Sequence, residues 1–188
     1  EKLFPPLKVG RLTLKNRIVT APMSIVELDA KGGYTEACYA FYENLAAGGA
    51  AVVTLGESIV GTANGMTHPQ QINFDNPAVG YYLRKMADVV HAQGAFLNIE
   101  LSHGGALSDP EFNNGTPTMG PSAMTDDWGD TIREMTREDM DEVKDAFCRA
   151  AVLCKACGLD MVMIHAGHGW LLHQFLSPLT NTRTDEYG

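Results

Sequence analysis

Basic residues are in short supply. Against 23 Asp and Glu the 188 residues carry only 14 Lys and Arg, a formal charge of −9. Nucleic acid is therefore not an expected partner, because its binders cluster Lys and Arg. Long apolar runs are also missing. None reaches the roughly 20 residues of a membrane-spanning helix, so no membrane partner is expected either. No signal-peptide pattern opens the chain, which makes a cytoplasmic location the default. Cysteine is sparse: Cys38, Cys148, Cys154 and Cys157 are too few and too uneven for a disulfide scaffold. The Cys154-x-x-Cys157 pair ends a helical pattern without further zinc ligands at a suitable spacing. Cys there reads as a small buried hydrophobe. What is present, 45% apolar and 20% charged residues, describes a globular chain long enough for one domain with a real core.

Short apolar runs alternate with helical patterns. Residues 17–21, 51–55, 95–101 and 160–165 read as strands, the first ending at Pro22 and the second at Gly56. Runs this short and continuous suit the buried strands of a parallel sheet. Thr35 opens a helix running to Gly48-Gly49, with Tyr39, Tyr42 and Leu45 toward one side. Asn76-Pro77 reads as an N-cap with proline at the first helical position, and Gly94 closes that helix. Thr136 and Asp139 form a short capping box ahead of a helix with Met140, Val143, Phe147, Ala151 and Cys154 on one face, stopping at Gly158. Strand alternating with helix gives a parallel α/β class. Before it, Leu7–Leu14 alternates about Gly10-Arg11 as a small hairpin. Residues 102–135 read as a long loop rich in Gly, Pro, Asn and Asp, an insertion over a site.

In parallel α/β folds ligands bind at the carboxyl ends of strands. Those ends are Pro22-Met23-Ser24, Gly56-Glu57, Glu100 to His103, and His165-Ala-Gly-His168. The last is the sharpest, two imidazoles interleaved with Gly167 and Gly169 directly after an apolar strand. Such a pair can be half of a metal site, a structural pair capping the strand end, or donors to a substrate carbonyl or cofactor ring. The third reading is favoured, since no second tight cluster of ligands accompanies the pair. A metal-dependent lyase barrel using His103, His165 and His168 is the metal version of the site.

The stretch Leu14–Met23 (LKNRIVTAPM) resembles the first strand of the old yellow enzyme family of FMN-dependent oxidoreductases. His165–Gly188 (HAGHGWLLHQFLSPLTNTRTDEYG) resembles that family's fourth strand and following segment, and Glu57 and Glu100 to Gly105 fall at the family's intervals. The resemblance spans essentially the whole chain and leans toward the NADH:flavin branch that holds 2,4-dienoyl-CoA reductases and enoate reductases. It implies a (β/α)8 TIM barrel whose floor is closed by an N-terminal β-hairpin. It also implies hydride transfer from NADH or NADPH through FMN to an activated alkene. By resemblance, Ala21, Pro22, Met23 and Ser24 line the flavin, Gly56 lies close to its ring, and Glu100 takes the place of a glutamine at its pyrimidine edge. His165 and His168 match the pair that grips the substrate carbonyl, with Trp170 beside them.

Three residues depart from the family pattern. Trp170 stands where many members carry a proton-delivering tyrosine, and an indole N–H is no practical acid. Glu100 accepts hydrogen bonds but cannot donate, unlike a glutamine. Ser24 replaces a flavin-tuning cysteine of one branch. Length departs as well: a full barrel needs roughly 250 residues and eight strands, and four are legible. The expected chain is thus an N-terminal half barrel of residues 1–188, without the phosphate-binding loops that follow later strands. An iron–sulfur cluster belongs only to a region beyond it, and Cys154 and Cys157 do not match that cluster's ligands. An open half barrel invites self-association or pairing with a complementary half. The alternative function follows: a non-catalytic assembly module that binds flavin only when completed.

Overall fold

The computed structural model describes residues 2–24, 27–126 and 129–188. The chain begins with an antiparallel hairpin, β1 (Leu7–Val9) and β2 (Leu12–Leu14), with Gly10 at a φ of 55° supplying the left-handed turn position. Its inner residue Leu14 packs with Ala51 and Val52, and Leu7, Leu12 and Phe96 close over them. The hairpin therefore seals the amino-terminal end of the sheet, opposite the site.

Helix α1 (Glu36–Ala47) follows, capped by Thr35, whose Oγ1 accepts from the Cys38 amide. Strand β3 (Val52–Ile59) leads to the two-residue β4 (Ile72–Asn73) and then to helix α2 (Val79–Ala92). Strand β5 (Phe96–Ser102) comes next, then two 3-10 turns (Gly105–Leu107 and Pro110–Asn113). Short strands β6 (Met119–Gly120), β7 (Met124–Thr125) and β8 (Thr131–Glu134) precede the long helix α3 (Arg137–Ala156). Strand β9 (Met163–Ile164) and helix α4 (Leu171–Leu176) complete the elements.

The main sheet has the order β4-β3-β5-β9, all parallel. Val53, Leu55, Leu97 and Ile99 turn to one face and join Tyr42, Leu83, Met86 and Cys154 from the helices in the principal core. Alternation places Thr54, Asn98 and Glu100 on the other face. Apolar residues thus anchor the helix layer, while the inner face of the curved sheet is polar.

Several sequence expectations change. Residues 17–21 form no strand but an isolated parallel bridge, Val19 to Val52, with Ala51 N–H donating to the Ile18 carbonyl. Pro22 has no N–H to continue the ladder, and β4 takes over the same edge of β3 higher up. Strand β3 does not stop at Gly56 but runs through it. The run at 160–165 contributes only two paired residues, because Val162 and Ile164 lie on an open edge. Helix α2 starts at Val79; Asn76 and Pro77 wind a tight lead-in turn, with Asn76 Oδ1 accepting from the Ala78 amide.

The stretch 102–135, read as a loop, is largely folded. Strands β6, β8 and β7 make a small sheet whose Met119 packs with Met135, Met140, Val143 and Leu171 in a second core. Elements of two to four residues among glycines and prolines carry no legible period. Residues 127–128 of that stretch lie outside the described residues.

Other expectations hold. Thr136 and Asp139 form the reciprocal capping box of α3, and Arg133 beside Asp139 holds its carboxyl down at about 2. Cys154 and Cys157 are buried free thiols, and desolvation lifts Cys154 to about 12. Both sit in the principal core.

Candidate functional site

At the carboxyl ends of the parallel strands lies a cavity of about 310 Å³, lined by Pro22, Ser24, Glu57, Glu100, Ser102, His165, His168 and Trp170. Four separate strand-end segments thus converge on one space. Its walls carry two carboxylates and two imidazoles beside Pro22 and Trp170.

A register shift in β3 builds the first wall. Leu55 pairs with Ile99 and Ser58 with Leu101, so Gly56 and Glu57 together stand opposite Glu100. Glu57 adopts a φ of 43°, a left-handed conformation that a side-chain-bearing residue takes only under constraint. Gly56 lies flat against Met23: a Cβ there would come within 2.3 Å of the Met23 carbonyl oxygen. Glu57 Oε2 accepts from Ser24 Oγ at 2.8 Å and meets His68 Nε2 at 2.7 Å. The bulge therefore ties the strip after Pro22 to β3 from both backbone and side chain.

The opposite wall is an acid–imidazole chain. His165 Nδ1 meets Glu100 Oε1 at 2.8 Å, with the two side chains only 12% and 9% exposed. Glu100 Oε2 also receives a long contact, 3.5 Å, from the Glu57 amide. The ring of His168 stacks on that of His165, with centroids 5.1 Å apart and an angle of 26°, and Trp170 packs edge-on against His165 at 5.4 Å. His168 Nδ1 stands 3.4 Å from His165 Nε2. His168, like Glu57, has positive φ, 56°. Two of the strained backbone positions of the chain thus face the same cavity, which is where strain tends to be kept.

His103 belongs elsewhere. Its ring is 2% exposed, Nδ1 accepts from the Gly105 amide at 3.0 Å, and Nε2 is buried without a hydrogen-bond partner among the described residues. Burial pushes its imidazole down to about 4, so it is neutral at pH 7. It does not join His165 and His168. Among the described residues no group of three or more His, Cys, Asp or Glu is arranged to hold a metal, so the metal-lyase grouping of these three histidines is not assembled.

Of the residues singled out from the sequence, Pro22, Ser24, Glu100, His165, His168 and Trp170 meet around the cavity, and Gly56 backs it through Met23. Ala21 and Met23 sit on the same strip without lining the space. Sequence reasoning misses two features: it notes Glu57 as a strand end at the family's interval but gives it no role, and it passes over His68. A Gly-Glu pair interrupting an eight-residue apolar strand is the signal that points to Glu57. Nothing local marks His68. It lies 11 positions beyond Glu57 in an irregular segment, and the fold alone brings the two together.

The family model for the NADH:flavin oxidoreductase / NADH oxidase family matches residues 2–188. The chain is 38% identical over 198 residues to an NADPH dehydrogenase of Listeria monocytogenes serotype 4b (strain CLIP80459), covering 100% of this chain and 54% of that protein. It is also 38% identical to a metal reductase of Desulforamulus reducens (strain ATCC BAA-1160 / DSM 100696 / MI-1), covering 99% of this chain and 27% of the other. Among solved structures, old yellow enzyme from Pichia sp. AKU4542 superposes with a TM-score of 0.92 at 27% identity, over all of this chain and 51% of that one. A 2-naphthoyl-CoA reductase complex gives 0.90 at 27% identity, over all of this chain and 30% of the other. The chain spans about half the length of the NADPH dehydrogenases it matches, and its fold is the corresponding part of an old yellow enzyme TIM barrel. The chain belongs to the NADH:flavin oxidoreductase / NADH oxidase family.

Proposed function

We propose that this chain forms the FMN- and substrate-binding face of an ene-reductase. The activity is hydride transfer from NADH or NADPH, through flavin, to a carbon–carbon double bond next to a thioester, acid or ketone. The observation that carries the reading is the convergence of Ser24, Glu57, Glu100, His165 and His168 on one cavity at the strand ends. The 2-naphthoyl-CoA named for one structural neighbour is an unsaturated acyl thioester, consistent with that substrate class.

The residues present suit the ring part of FMN. Gly56 lets the Met23 backbone pack directly on β3, which fixes the strip from Pro22 to Ser24 along the cavity edge where a flat heterocycle would lie. Ser24 Oγ and the Glu100 carboxylate offer polar atoms to a ring edge. When bound, FMN supplies the hydride that a nicotinamide delivers to it. The chain's own groups do the rest. His165 is anchored through Nδ1 by Glu100 and turns Nε2 toward His168. With Nδ1–H of His165 committed to Glu100, a further proton shared by the two rings lets them donate to a carbonyl oxygen, and the negative charge that oxygen gains as hydride reaches the β-carbon is stabilised there. Trp170 packs edge-on against His165 but supplies no acid.

A second reading rests on a different feature. An apolar groove of about 490 Å³ beside the open β9 edge is lined by Val143, Phe147, Ile164, Leu171 and Phe175. It supports an assembly module that pairs with a complementary half barrel or with itself. A visible spectrum of the purified chain with and without FMN, read beside its sedimentation mass, separates the two. A flavin band that stays with the protein is expected; a colourless chain that ignores FMN favours the module. In the flavin-loaded protein, replacing His165 and His168 by Ala should cut alkene reduction far more than flavin reduction by NADH or NADPH. Equal loss of both would remove the histidines from substrate binding.

A further inference from the structure

Reduction of an activated alkene needs a proton as well as a hydride. Hydride adds to the β-carbon, the π electrons move toward the carbonyl oxygen, and the α-carbon then takes a proton to restore the carbonyl. The site needs an acid that reaches the cavity and can be refilled. Trp170 cannot serve, and the buried Glu100 is committed to His165.

Another chain of groups has both properties. Ser24 lines the cavity and shares a hydrogen bond with Glu57 Oε2, which in turn meets His68 Nε2. The His68 side chain is 34% exposed and Glu57 29%, so the chain runs from the cavity wall to solvent. The order of groups also matters. In an activated serine nucleophile the imidazole stands between hydroxyl and carboxylate; here the carboxylate stands between hydroxyl and imidazole. That order suits proton passage rather than nucleophilic attack. Further support comes from the backbone: Glu57 is held in a left-handed conformation by the bulge, which aims its side chain across to Ser24.

Resting on the ene-reductase reading, we propose that Ser24, Glu57 and His68 form the proton relay for the α-carbon. The Ser24 hydroxyl, which donates to Glu57 in the resting site, turns its proton to carbon; the proton that His68 Nε2 holds against Glu57 passes through the carboxylate to the serine oxygen as the His68 ring takes one from water at Nδ1. Glu57 and His68 act through Ser24 as positioning residues that hold and pass the proton.

The test compares two electron acceptors on the flavin-loaded protein: an activated enone, which needs a carbon-bound proton, and ferricyanide, which takes electrons alone. His68→Ala, which lies off the cavity wall, should lower enone reduction at least about tenfold while ferricyanide reduction stays within about twofold, and Glu57→Gln should lower enone reduction by a similar factor. Added imidazole should restore enone reduction in His68→Ala, a rescue that a structural defect would not show. Equal losses with both acceptors, unchanged enone reduction, or no rescue would overturn the relay. Failure of the wild type to reduce the enone while still passing electrons to ferricyanide would instead sink the ene-reductase reading. A second measurement needs no flavin: NMR of the chain itself should show a slowly exchanging His68 Nε2–H that is lost in Glu57→Gln. Its absence from the wild type would also overturn the proposal.

Discussion

Acidifying the protein from about pH 7.5 to about pH 5 should remove roughly 2 kcal/mol of stability through one side chain, His103. Burial holds its folded imidazole at about 4, against 6.5 for an ordinary imidazole. The group is depressed in the folded state, so between those values the unfolded chain binds more protons and stability falls as pH falls. At about 1.4 kcal/mol for each tenfold step in proton affinity, the full difference is about 3 kcal/mol, of which about two-thirds has gone by pH 5. The local cause is specific. Nδ1 accepts from the Gly105 amide, and a protonated ring could only face that N–H with another N–H. For a chain of this size the loss corresponds to a drop of roughly 4–8 °C in melting temperature. Thermal melts across that pH range measure it, with His103→Asn as the control, since the amide oxygen can still accept from Gly105 without titrating. The wild type should show the steeper slope. Parallel slopes would refute the assignment and place the acid sensitivity elsewhere.

Two further outcomes follow from the packing. Gly56→Ala places a methyl group 2.3 Å from the Met23 carbonyl oxygen, so it should cost roughly 1–3 kcal/mol and weaken FMN binding, read by denaturation and by flavin titration. Thiol labelling should modify Cys148 quickly, while Cys38, Cys154 and Cys157 become reactive only in denaturant. Rapid labelling of Cys154 in the folded protein would contradict its burial.

The parallel sheet and its helices are legible because they obey strong local rules. The apolar runs at 51–55 and 95–101, the Thr35 cap and the Thr136–Asp139 box each fix an element by physics within a few residues. Legibility fails where pairing is decided by distant partners. Residues 17–21 and 160–165 look like strands but lie at edges, where only one or two residues find a ladder. The small sheet within 102–135 draws its stability from a methionine cluster shared with α3 and α4, which no short window reveals. The site divides the same way. Strand ends point to Ser24, Glu100, His165 and His168, but the pairing of Glu100 with His165 joins two different strands and that of Glu57 with His68 crosses a loop.

The extra residue in β3 also bears on how such a chain can change. Deleting one position from the Gly56-Glu57 pair would let Leu55 and Ser58 fall into an uninterrupted ladder with β5. The backbone would gain regular pairing and shed a left-handed glutamate. It would also lose the contact with Met23 and the arm that reaches Ser24 and His68. Such a protein would have a better sheet and a blank wall where its cavity had been. Selection for stability alone would therefore work against the Gly56-Glu57 step: the cavity wall it builds is held at the expense of regular pairing between β3 and β5.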